Sequence, residues 1–456
     1  MITRNVGVAV LLAGAMALGG CSTVGAVGDA AGRLLPSFGK KDKPQEVAGD
    51  GRRISIIAFD QRVEAAEALK GLEFFLPPAL PQADWPQPGG LGEFNVENVE
   101  AAPAFEIAWR KGFGKGSDRT FHLTTSPIIA GGRVYVMDAE TDIAAIDAQT
   151  GAIIWKKSIH PRTKRDKAGF GGGIAFADGK LYVASGFRMV AQVDAATGVV
   201  GWKRDTASPI HGAPIVNHGR MFVVSTDNEL LTYDTATGAP GWTFQALVEP
   251  ARMLASPSPV VSGNTVVAAF ASGEVVALST ANGNDLWNNT LSKASRTSAL
   301  SEIRDVAGRP VVHQGDVYAA SHGGIFAATD LRTGQARWSL PVASIDTPWP
   351  AGDVVYLISQ AGEVICASRE SGQVYWIKDL NAGIKKSKDR ALFSGPVLAS
   401  DRLVVVSSDG RAIALNPKTG EVLKTIKIGS PVLTSPVAAN GMIYVVTDKG
   451  ELVAIR

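Results

Sequence analysis

The sequence predicts an all-β chain: an eight-bladed β-propeller of four-stranded antiparallel blades, with the last blade closed by an N-terminal strand. Three observations lead there. A turn motif closing on Trp recurs along most of the chain. A hairpin-forming pair of apolar strands precedes each copy and brings the number of units to eight. The last unit ends one strand short, while a strand of the missing kind stands alone ahead of the first unit.

The clearest copy of the motif is Asp147-Ala148-Gln149-Thr150-Gly151-Ala152-Ile153-Ile154-Trp155. It returns at Asp194 to Trp202, Asp234 to Trp242, Ser279 to Trp287, Asp330 to Trp338 and Ser368 to Trp376, and Asn416 to Lys424 keeps the turn without the Trp. Asp or Asn caps a tight turn through its side chain, and Gly takes the positive φ of the reversal, so each copy reads as a hairpin. The preceding pair is typified by Ser126-Pro127-Ile128-Ile129-Ala130-Gly131-Gly132-Arg133-Val134-Tyr135-Val136, and the eighth opens at Ser435. Four strands repeating every 40 to 50 residues or about that belong to propeller blades.

The final unit stops at Arg456, after its third strand. Phe105-Glu106-Ile107-Ala108-Trp109 supplies a fourth, which leaves no sheet edge over at the seam. One indole per blade fills the wedge between neighbouring sheets, because a ligand could touch only a few of the copies.

With 456 residues, 45% of them hydrophobic, the chain can bury a large core. A net charge of +2 calls for no nucleic-acid partner, and the basic runs Arg162 to Lys167 and Lys385 to Arg390 read as solvated loops between blades. Arg4, an apolar run from Val6 to Leu18, and Leu18-Gly19-Gly20-Cys21 together resemble a bacterial lipoprotein signal over 1–20. That resemblance implies cleavage before Cys21, lipid attachment there, and residence on the periplasmic face of the outer membrane. The second cysteine, Cys366, sits among Val364, Ile365 and Ala367 and reads as a buried strand thiol.

Residues 21–50 read as a flexible tether, and 51–104 as an extension packed on the ring, with a short strand at Arg53 to Phe59, one or two helical turns over Val63 to Leu72, and an irregular proline-rich path beyond. The propeller itself is expected over 105–456.

No catalytic constellation emerges. The six histidines lack zinc-site spacing, there is no Gly-x-Ser-x-Gly elbow, and Gly112 to Ser117 and Gly169 to Gly173 read as a turn and a loop. No cofactor or metal site is expected. The two longest connections, Gln245 to Ser258 and Leu291 to Arg309, are where a periodic scaffold would place binding.

The Asp-x-x-Thr-Gly-x-x-x-Trp repeats resemble those of propellers related to the pyrroloquinoline quinone dehydrogenases. With the lipoprotein signal, eight units and this length, the chain resembles the BamB family, lipoproteins of the outer-membrane β-barrel assembly machinery, and Asp84-Trp85-Pro86-Gln87 is similar to the α-proteobacterial branch. The resemblance implies a non-enzymatic scaffold that docks on the POTRA domains of BamA, and through it on the rest of the complex, and assists nascent outer-membrane proteins. Family contact loops carry Leu-x-Leu-Arg and Asp-x-Asp. Here the matching positions read Ala251-Arg252-Met253-Leu254 and Asp305-Val306-Ala307, with Leu254 where Arg is expected and Ala307 in place of the second Asp. Arg252 and Arg304 stand close enough to restore charge. Independently, Met253-Leu254 beside Arg252, facing Glu302, Arg304 and Asp305, has the makeup of an interface centre with a polar rim. Two other readings stay open: a quinone-dependent dehydrogenase, which shares the blade motif, and a carbohydrate-binding ring.

Overall fold

An Asp or Asn side-chain cap sets the turn geometry in five of the blades. In the computed structural model, Asp147 Oδ1 accepts the Thr150 backbone N–H and hydroxyl, both at 2.8 Å, while Gly151 at φ +72° donates its N–H to the Asp147 carbonyl. Asp194, Asp234 and Asp330 build the same turn, and Asn416 does so through its amide oxygen. The structure describes residues 63–90, 97–159, 169–249, 257–291 and 305–456. The expected signal, Cys21, the tether and the strand at Arg53 to Phe59 lie outside them.

Eight four-stranded sheets result, seven of them consecutive meanders such as Ile128–Ala130, Arg133–Met137, Asp142–Asp147 and Ile153–Ser158. The eighth places Ile107–Gly112 beside Glu451–Ile455, antiparallel, so the N-terminal strand closes the ring as the sequence indicates. Its register slips between Ile107 and Trp109. The same slip precedes the Trp in the hairpin copies, as between Val193 and Gln192 opposite Trp202. Glu106 and Arg456 exchange backbone hydrogen bonds at 2.9 Å and pair through their side chains at 2.7 Å.

Between blades each indole reaches forward. Trp155 Nε1 donates to the Ala195 carbonyl, Trp202 to Thr235, Trp242 to Thr280, Trp287 to Leu331, Trp338 to Arg369 and Trp376 to Pro417, always the residue after the turn's capping position. Each ring lies against the turn glycine of the next blade: a Cβ on Gly238 would stand 2.6 Å from Trp202. The indoles are therefore packing elements.

This rule explains the missing seventh Trp. The eighth blade has no hairpin between its third and fourth strands, because the two chain ends meet there. No turn glycine waits for a ring, and Lys424 instead donates from Nζ to the Ala104 carbonyl at 2.7 Å.

Two local expectations change. The helical stretch over Val63 to Leu72 is a single 3-10 turn, Glu67–Leu69, and Gly169–Phe170 is a short strand, parallel to Phe121–His122, instead of a loop. Cys366 is fully buried, and burial pushes its thiol well above the ordinary range.

Candidate functional site

Strand alternation gives the ring two unlike faces. The turns joining first to second and third to fourth strands lie on one; the turns joining second to third strands, and the connections between blades, lie on the other.

The extension crosses the first face as a strap. Phe75 exchanges backbone and side-chain hydrogen bonds with Asp353 of the sixth blade, Val99 bridges to Ala399 of the seventh, and Asn440 of the eighth donates to the Gln82 carbonyl. Trp85 exchanges two backbone hydrogen bonds with Ile129 of the first blade. Phe176 of the second donates to the Pro86 carbonyl at 2.7 Å, and the Gln87 amide both accepts from and donates to the Val216 backbone of the third. Asp84-Trp85-Pro86-Gln87 is thus a clamp on three innermost strands. On the return, Glu97 meets His313 at 3.2 Å and its carbonyl accepts the Trp349 indole N–H at 2.8 Å. The sequence singled out Asp84-Trp85-Pro86-Gln87 as a family resemblance without indicating this contact.

The strap floors a cavity of about 390 Å³ along the ring axis. Trp85, Pro88 and Gly89 form its base, beside Trp349, whose ring stacks on Trp85 at 6.1 Å. The walls are residues entering the first strands, among them Thr125, His211, Ser258, Arg309, Asp346 and Thr434. Burial pushes the Asp346 carboxyl up to about 8 against one opposing N–H from Gly395, so it is uncharged at neutral pH although it faces the cavity. Burial likewise brings the Arg309 guanidinium down to about 10, which leaves it charged. Among the described residues no group of three or more His, Cys, Asp or Glu could hold a metal ion.

The two long connections leave and re-enter the ring on the opposite face. The first leaves its strand at Gln245, and Leu247 and Val248 stand out from it 67% and 79% exposed. Arg252, Met253, Leu254 and Arg304 lie outside the described residues. The second connection re-enters the ring at Asp305, which the sequence places on an exposed patch. Here the structure differs: Asp305 is 2% exposed, its carbonyl accepts the His322 N–H at 2.8 Å, and Val306 behind it is fully buried. The period of the repeat locates this connection but does not say where along it the chain turns inward.

The profile of the family described as outer membrane protein assembly factor BamB matches residues 47–169, 139–378 and 382–456. The chain belongs to the BamB family. Among BamB proteins, that of Moranella endobia is 26% identical over 339 residues, 74% of this chain and 86% of the relative, and that of Salmonella typhimurium is 26% identical over 375 residues, 80% and 93%. The crystal structure of BamB from Moraxella catarrhalis superposes with a TM-score of 0.67 at 18% identity, over 77% of this chain and all of that one. A quinohemoprotein alcohol dehydrogenase from Comamonas testosteroni scores 0.65 at 15% identity, over 83% and 81%. At such identities likeness to either structure speaks for the propeller fold alone. Among the described residues no helix is long and apolar enough to cross a membrane.

Proposed function

We propose that this chain is a non-enzymatic scaffold of outer-membrane protein assembly, held by a lipid on Cys21 at the periplasmic face of the outer membrane and docking on the POTRA domains of BamA. Residues 1–20 are the export signal and 21–50 the tether in this reading. The observation that supports the docking site is the exposed apolar pair Leu247-Val248, which precedes Arg252, Met253 and Leu254 in the sequence by a few residues. Large apolar side chains beside a cationic one make an interface centre. Arg304 supplies charge from the neighbouring connection, and the buried Asp305 anchors that connection's base.

The test is co-purification of BamA from detergent-solubilised membranes with the double variant Val248→Asp/Met253→Asp. Both changes fall on connections, so the melting midpoint should stay within about 2 °C of the parent, in line with surface substitutions costing about 0.5 kcal/mol or less. Loss of BamA with an unchanged midpoint is the expected result; retention of BamA would move the interface off this face.

A further inference from the structure

Arg309 poses a problem that neither the fold nor the docking role resolves. Its side chain is 8% exposed and lines the axial cavity, yet among the described residues its Nε has no acceptor and its guanidinium forms no ion pair. Burying a cation without a counter-charge is unfavourable, and such groups are normally paired. Asp346, also on the wall, does not fill the role: its Oδ1 accepts the Gly395 N–H, it forms no ion pair with Arg309 among the described residues, and burial pushes its carboxyl up to about 8. His211 is the remaining titratable group on the wall.

The strap passes directly against this cation. Gly89 sits at φ +77°, and a Cβ there would stand 1.7 Å from Arg309 Nη1. A glycine therefore lets the strap close over the guanidinium. An apolar residue at 309 would meet the ordinary demands of a core without that restriction. The cavity wall also carries neutral hydroxyls, Ser258 and Thr347 among them, which can donate hydrogen bonds without cancelling the charge of the guanidinium. A volume of about 390 Å³ falls in the range of small-molecule sites.

We propose that the axial cavity binds a small anion, a molecule bearing a carboxylate or a phosphate, which enters from the face of the blade connections and pairs with the forked guanidinium of Arg309. Both anion types match that fork in a bidentate manner, which a lysine ammonium does not. Trp85, Pro88 and Gly89 of the strap cover the far end.

Calorimetric titration of the full lipidated protein in detergent, with citrate and separately with inorganic phosphate at constant ionic strength set by sodium chloride, tests this. Saturable binding of at least one probe is expected, and the probe that binds tells carboxylate from phosphate. Arg309→Met should weaken that binding roughly 10- to 100-fold, the loss of a charge-assisted pair. Without probe, the same variant should melt no lower than the parent, because an uncompensated buried charge has been removed. If Arg309→Met fails to fold, Arg309→Lys decides: several-fold weaker binding supports the site, and unchanged binding overturns it. Binding of neither probe to the parent protein, or equal binding to parent and methionine variant, also overturns it.

Discussion

Trp202 and Gly238 constrain each other across the boundary between two blades. The indole needs a flat, bare backbone to lie on, and its N–H finds the Thr235 carbonyl at 2.9 Å only at that distance. The turn needs a residue at φ +69°, which glycine supplies without strain. Trp202→Ala should cost about 3–5 kcal/mol through lost burial and the void left behind. Gly238→Ala should cost about 2–4 kcal/mol, part from the left-handed backbone and part from the clash with the ring. Once the ring is gone the clash is gone too, so the double variant should fall short of the sum by about 1 kcal/mol or more. Urea denaturation of the four proteins measures this, and strict additivity would mean that the two residues act independently. The turn chemistry was legible at single residues, since Asp, Thr and Gly at fixed spacing admit one geometry. Arg309 was not, because nothing in Gly308-Arg309-Pro310 announces that the guanidinium will stand in an axial cavity under Gly89.

At the level of strands, the seam shows how much a repeat reveals by its defects. A unit one strand short at the C-terminus and a spare strand before the first repeat were enough to place Phe105 to Trp109 at the closure, though not to show that pairing continues to Gly112. The absent seventh Trp was visible in the sequence as an irregularity, and its cause becomes plain only when blade order shows that position 424 faces chain ends instead of a turn. Closure by the two ends makes the ring cooperative, because the last blade lacks its outer strand until residues far apart in sequence have met. A chain shortened to begin at Lys115 should therefore leave Glu451–Ile455 as an open edge and associate through it, whereas one beginning at Ala104 should remain monomeric. Size-exclusion chromatography with light scattering separates these outcomes. Monomeric behaviour of the shorter chain, with an unchanged melting midpoint, would show that the seam strand is dispensable.

Over the whole molecule, the ring and the strap divide the labour between its faces. The ring's own hydrogen bonds satisfy each sheet internally, but the innermost strands present backbone groups toward the axis, and there the strap supplies partners. Ile129, Phe176 and Val216 donate their N–H groups to the Trp85 carbonyl, the Pro86 carbonyl and the Gln87 side chain at 2.7 to 2.9 Å. These three contacts were not legible in the sequence, because prolines break the periodicity that revealed everything else and leave only composition to read. Burial of Phe74, Trp85, Val99 and Ala101 favours the strapped state, and the entropy of ordering the segment opposes it. The strap's main effect is thus on the axial floor more than on the stability of the ring. A chain beginning at Ala104 should unfold cooperatively at a modestly lower temperature. Its amides at Ile129, Phe176 and Val216 should exchange with solvent deuterium at least about tenfold faster than in the full chain, as each loses a hydrogen bond worth about 1.4 kcal/mol of protection or more. Amides paired between second and third strands, such as those of Val134 and Ile146, should stay as protected as before. Equal exchange at the three strap-bonded amides in both chains would show that the floor of the cavity does not depend on the strap.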